Sequence, residues 1–99
     1  MSKPQVTITH EGDERGGEYT AHIAGVEATG ELTWRSGGEN VRVATHTGVP
    51  REMRGMGIAG RLVDALIADA REEGFKVVPA CSYVAAQFDR HPEWADLRA

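Results

Sequence analysis

Arg51-Glu52-Met53-Arg54-Gly55-Met56-Gly57-Ile58-Ala59-Gly60 is the stretch on which the reading of this chain turns. It stands where a period-2 segment gives way to a period-3.6 one. Glycines let the backbone curl so that successive N–H groups converge on one concavity. A helix starting just after them adds its unpaired amide donors and a partial positive charge. Together these predict an anion site suited to a phosphate or pyrophosphate. The plain alternative is a surface loop whose glycines only ease a tight connection. Basic residues, glycines and a helix start coincide here, which favours the phosphate site.

Downstream, apolar residues fall at Ile58, Leu62 and Leu66 and at Ala59, Val63, Ile67 and Ala70, one face of an amphipathic helix. Gly74 supplies its stop. Phe75 to Pro79 reads as a short strand, parallel to the strand before the turn because a single helix separates them. Ser82 can cap a second helix carrying Val84, Ala85 and Phe88, ended near Pro92. Upstream, four segments alternate: Val6 and Ile8; Tyr19, Ala21 and Ile23; Ala28, Gly30, Leu32 and Trp34; then Val41, Val43 and Thr45 opposite Arg42, Ala44 and His46. Turn compositions separate them at Glu11 to Gly17, at Gly25 and at Ser36 to Asn40. The expected fold is α+β: an antiparallel four-stranded meander, then helix, strand and helix, with the fourth and fifth strands parallel.

A length of 99 residues predicts a single domain over 1–99, its core at about 5–96. With 11 Lys+Arg against 15 Asp+Glu the formal charge is −4, which gives no electrostatic reason to expect nucleic acid or an anionic membrane as partner. Any anion must be held by local geometry. Cys81 is the only cysteine, so no internal disulfide is expected and a reducing compartment fits. No charged-then-apolar leader opens the chain and no apolar run approaches the ~20 residues of a membrane span. A cytoplasmic protein without metal is the expectation. Trp34 and Trp94 would suit an interface if exposed, so the chain is read as a monomer or weak dimer.

Two phosphate motifs are excluded. Gly55-x-Gly57-x-x-Gly60 matches the dinucleotide fingerprint literally, but Gly48 to Arg54 intervene after the strand and Phe75 to Ala80 hold no acid. A Walker A loop needs Gly-Lys-Ser/Thr, which is absent. What remains resembles the GNAT-type N-acetyltransferases. Arg54-Gly55-Met56-Gly57-Ile58-Ala59 fits their acetyl-CoA signature, Arg/Gln-x-x-Gly-x-Gly/Ala, with Val49-Pro50 before it and Leu62 after it in keeping. The chain looks closest to the small, single-domain branch, through His46-Thr47-Gly48-Val49-Pro50, Cys81-Ser82-Tyr83 and His91-Pro92-Glu93-Trp94. Three separated matches stand in the right order.

The resemblance implies acetyl-CoA as cofactor. Its pyrophosphate would rest on backbone N–H groups of Gly55, Met56, Gly57, Ile58, Ala59 and Gly60, with Arg54 at the entrance and Arg51 and Arg61 near outer phosphates. Its pantetheine arm would lie between splayed fourth and fifth strands, bonded to backbone near Thr47 to Val49. Transfer to an amine needs a deprotonated amine, a stabilised carbonyl oxygen and a proton for the leaving thiolate. His46, at the end of the fourth strand, is the expected base, or else a strand histidine beneath the cofactor. Glu52 reads as a solvated carboxylate and His91 as structural. The family's usual acid is a tyrosine on the last helix, and that spacing falls on Phe88, which cannot donate a proton. Tyr83 is the substitute, unless it is simply core. Cys81, starting a helix, has a lowered thiol pKa if the helix amides reach it, and near the thioester it could accept acetyl. The alternative for Cys81 is a small buried hydrophobe.

The acceptor pocket also departs from the family. Only Glu11 to Gly17 stands where helices usually form that pocket, so the acceptor side should be open to a large or flexible amine, including one on a protein or peptide. Two further readings stay in play: an acetyl-CoA-binding module with vestigial or cysteine-mediated transfer, and an interaction module with no affinity for CoA.

Overall fold

The alternating segments become strands and the helical-period run a helix in the computed structural model, which describes residues 5–99. β1 (Val6–Gly12), β2 (Gly16–Ile23), β3 (Gly30–Ser36) and β4 (Val41–Gly48) form an antiparallel meander. α1 (Ile58–Glu73) crosses over to β5 (Lys76–Pro79), which joins the β4 edge in parallel and completes a five-stranded sheet in chain order. α2 (Ser82–Arg90) and a 3₁₀ turn (Pro92–Leu97) follow. The meander and the parallel β4–β5 pair are those the sequence predicts.

One face of the sheet holds the core. Tyr19, Ala21, Leu32, Trp34 and Ala44 meet Leu62, Val63, Leu66 and Ala70 of α1, and α2 adds Val84 and Phe88 to the same cluster. Gly57 (φ 72°) and Gly74 (φ 80°) bracket α1 in left-handed conformations, which fixes where the helix begins and ends. The opposite face carries Thr9, Glu18, His22 and Arg35, all exposed. Among the described residues, no helix is long and apolar enough to cross a membrane.

Three local expectations are corrected. The predicted turn over Glu11 to Gly17 shrinks to Asp13–Arg15, because the ladder continues as far as Gly12 opposite Gly17. Asp13 closes it by accepting the N–H groups of Arg15 (2.8 Å) and Gly16 (3.3 Å). The glycines serve the strands: a Cβ on Gly17 would fall 2.8 Å from Trp34 Nε1 and 2.5 Å from the Glu11 carbonyl. Trp34 and Trp94, offered as interface residues, are core residues at 6% and 7% exposure. The N-cap of α2 is Cys81, with Ser82 the first helical residue.

Trp34 also anchors a cluster at the end of the sheet remote from the glycine turn. The Arg42 guanidinium lies 4.0 Å from both the Trp34 and the Phe75 ring centroid and donates to the Tyr19 hydroxyl (3.0 Å), which donates to Asp69 (2.7 Å). Burial and the Asp69 bond push the Tyr19 phenol well above its ordinary range. Trp34 Nε1 donates to His10 Nε2 (3.0 Å), so this nitrogen must stay unprotonated. Burial, then Arg42, hold the His10 pKa below its ordinary 6.5, against an upward pull from Asp69 and Glu73. A base whose folded pKa is depressed contributes stability that is complete above its unfolded pKa and is lost as pH falls through the folded one. The urea midpoint should therefore drop as pH goes from about 7 to about 5, and less steeply in His10→Gln. Parallel pH profiles for the two proteins would refute the coupling.

Candidate functional site

The site begins where β4 and β5 part. Their ladder ends at Ala44 opposite Pro79, which has no N–H to continue it. The Cys81 N–H then donates to the Ala44 carbonyl (2.9 Å) and closes the fork, beyond which Thr45 to Gly48 have no β5 partner. Splayed strands are thus a property of this sheet.

A β-bulge shapes the same end of β4. Thr33 pairs with His46 and Trp34 with Ala44, so Thr45 is the extra residue. Its hydroxyl is held by the Thr33 carbonyl (3.1 Å) and hydroxyl (2.8 Å). The expected alternation of Arg42, Ala44 and His46 on one face consequently fails at its last member. His46 opposes Thr33 on the exposed face, and Thr47, opposite Leu32, takes the helix-facing place. The His46 ring lies over Gly48, its Nε2 3.0 Å from where a Cβ would stand.

The glycine turn follows. A 3₁₀ turn (Arg51–Met53) sinks Met53 into the core at 0% exposure and leaves Arg51, Glu52 and Arg54 outside. Gly55 (φ 79°) and Gly57 (φ 72°) are both left-handed, and among the described residues no atom lies within 4 Å of either Cβ position. Conformation, not space, demands glycine there. The helix ladder opens with Arg61 N–H donating to Gly57 C=O (3.1 Å), so the amides of Ile58, Ala59 and Gly60 have no helical acceptor. The first turn holds no acidic residue and carries Arg61 instead. That charge opposes the helix dipole unless an anion sits there.

A cleft of about 220 Å³ opens over these amides, floored by Met53 and walled by Val49 and Tyr83. Of the predicted cofactor residues, Val49, Arg54, Gly55, Gly57, Ile58, Ala59 and Gly60 line it. Ile58 offers only its backbone, because its side chain is buried at 1% exposure. Met56 sits at the exposed tip of the turn, and Thr47 lies instead in the fork.

Cys81 is half-buried, and its thiol donates to Thr47 Oγ1 at 3.5 Å. Burial pushes the thiol pKa up. The amides of Val84 and Tyr83 at the start of α2, with the hydroxyl and amide of Thr47, outweigh that and bring it below its ordinary value. The Tyr83 hydroxyl reaches to 3.7 Å from the Cβ position of Gly60, so Tyr83 walls the cleft. Phe88 is buried at 5% exposure against Trp94 (5.6 Å, edge-on), and offers nothing to the site. His91 stacks on Trp94 at 3.9 Å and bonds the Gln87 carbonyl (2.7 Å), a structural role. Among the described residues no group of His, Cys, Asp and Glu is placed to hold a metal.

Sequence reasoning missed Met53 as the cleft floor and the Thr47 side chain as the partner of Cys81. An apolar residue amid charged ones marks Met53. Nothing local marks Thr47, whose face is set by the bulge.

The arrangement has known counterparts. The solution structure of a GCN5-like protein from Staphylococcus aureus, provisionally assigned as an N-acetyltransferase, superposes with a TM-score of 0.69 at 26% identity, covering 100% of this chain and 91% of that one. The family model described as GCN5-related N-acetyltransferase matches residues 18–97, which takes in the meander from β2 onward, the glycine turn, α1, β5 and Cys81. On the fold, the turn and that match, the chain belongs to the GCN5-related N-acetyltransferase family.

Proposed function

We propose that the protein transfers acetyl from acetyl-CoA to an exposed amine, with Cys81 as the intermediate acyl acceptor. The observation that carries the reading is the run of unpaired amides from Ile58 to Gly60 behind two left-handed glycines. These residues fit the cofactor: the amides and Arg54 suit the pyrophosphate, with Arg51 and Arg61 flanking it, and the open β4 edge suits a chain of amides such as pantetheine. Phe88 leaves no phenol at the family's usual place for protonating a departing thiolate, and the Tyr83 hydroxyl is turned toward Gly60, whereas the Cys81 thiol sits in the fork where the arm would end.

In this reading the Cys81 thiolate attacks the thioester carbon. A new C–S bond forms to Cys81, the bond to the CoA sulfur breaks, and CoA leaves as a thiolate that takes a proton from solvent. The amine then attacks the acyl-cysteine, a C–N bond forms, and the Cys81 thiolate departs. The amine's proton goes to a base, for which His46, on the exposed face beside Gly48, is the candidate. The acceptor side is open, because only Asp13–Arg15 joins β1 to β2. Glu31 lies beside Gly48, and hydrogen bonding to Glu31 raises the pKa of Glu18. Carboxylates at that edge favour a cationic amine such as a lysine on a flexible segment. A working thiol also suits the reducing cytoplasm.

The test is CoA release from acetyl-CoA across small amines and lysine peptides, with mass spectrometry of the quenched enzyme. Amine-dependent release and one acetyl group on Cys81 are expected. Binding without release would reduce the protein to a CoA-binding module, and release without an acyl-enzyme would favour direct attack.

A further inference from the structure

We propose that Thr47 is a positioning residue that holds the Cys81 sulfur and stabilises its thiolate, which makes the β4 bulge a device for choosing what stands beside the cysteine. The proposal rests on Cys81 being the acyl acceptor. Strict alternation from Ala44 would put His46 on the helix-facing side of β4; the extra residue at Thr45 puts Thr47 there and sends His46 to the other face. The bulge thus exchanges an imidazole for a hydroxyl as the neighbour of Cys81.

The contact is constrained from both sides. The Cys81 amide is tied to the Ala44 carbonyl at 2.9 Å, and its thiol donates to Thr47 Oγ1 at 3.5 Å. A hydroxyl can accept from a thiol and, after rotation, donate to a thiolate, so threonine serves both protonation states. The groups that favour the thiolate are all neutral: the Val84 and Tyr83 amides from α2, and the hydroxyl and amide of Thr47 from β4. From β5, Val78 and Pro79 bring nothing titratable to this end. His46 lies over Gly48 and the Tyr83 hydroxyl reaches toward Gly60. Hydrogen bonds, not a neighbouring charge, tune this sulfur.

Because Cys81 is the only cysteine, its ionisation reads out directly as the pH dependence of iodoacetamide alkylation of the full chain, without CoA. Thr47→Val should raise the midpoint by about one pH unit. Thr47→Ser, which keeps the hydroxyl, should return it close to wild type. A valine variant with an unmoved midpoint overturns the proposal, as does a serine variant displaced as far as valine. Should valine abolish the fold by circular dichroism, Thr47→Ala against Thr47→Ser makes the same comparison. A shifted midpoint with undiminished acetyl transfer upholds the role of Thr47 and removes Cys81 as the acyl acceptor.

Discussion

Cys81→Ala is expected to lower acetyl transfer by about 10³-fold while leaving the affinity for acetyl-CoA near that of the wild type. The two effects separate because the thiol and the proposed phosphate cradle belong to different elements. The sulfur stands at the fork, on the N-cap of α2, whereas the proposed cradle belongs to the turn before α1. The fold should tolerate the change. Alanine gives up only the weak contacts of the sulfur with Thr47 and the first amides of α2, and the tie to the Ala44 carbonyl is made by backbone. Cys81→Ser sharpens the reading, since a serine hydroxyl does not ionise in the range where a thiol does. Serine should therefore resemble alanine in rate and carry no acetyl group in the quenched enzyme. Steady-state CoA release and mass spectrometry check both variants. Unchanged turnover in Cys81→Ala would remove the acyl-enzyme from the mechanism.

Gly57→Glu should weaken acetyl-CoA binding by about 100-fold or more, with the protein still folded. Two costs combine at this position. A non-glycine residue at φ 72° pays roughly 1–2 kcal/mol in backbone strain, and the turn can relax it only by turning its amides away from the cleft. A carboxylate at the helix N-terminus then competes for the same donors and repels a pyrophosphate. Space is no obstacle, because no atom of the described residues lies within 4 Å of the Cβ position, so the core beneath need not move. Gly57→Ala isolates the strain and should lose only about tenfold. Calorimetric titration of the two variants, with circular dichroism for the fold, measures the difference. Equal losses would mean that backbone shape alone matters, and no loss in either would deny the turn any part in binding.

Much of this was legible because the signals are local. The change from period-2 to period-3.6 at Ile58 placed α1, and Gly57 and Gly74 do bracket it in left-handed conformations. The glycine–arginine turn drew attention, through residue types that few other purposes bring together, to the stretch that lines the cleft before α1. What escaped depends on strand partners. Gly12, Gly16 and Gly17 read as a turn, yet they are ladder residues, Gly12 and Gly17 kept bare for the Trp34 indole arriving from β3 and Gly16 for the Trp34 backbone carbonyl. The bulge at Thr45 arises from the pairing of β4 with β3, and no residue within β4 encodes it, so Arg42, Ala44 and His46 read as one row that the bulge breaks at His46. The tryptophans were offered to an interface because a sequence does not say whether an indole finds partners. Here Arg42, His10, Phe88 and His91 supply them.

The turn from Gly55 to Gly60 is proposed to cradle the pyrophosphate of an acyl-CoA. Calorimetric titration of the wild-type protein with acetyl-CoA and, separately, with S-acetylpantetheine, which lacks the nucleotide and its phosphates, tests that most directly. Micromolar binding of acetyl-CoA is expected, with affinity at least about 100-fold weaker for the truncated thioester, since charge-assisted bonds from several amides and Arg54 are lost together. Equal affinity for the two, or no heat with acetyl-CoA from a folded protein, would contradict it.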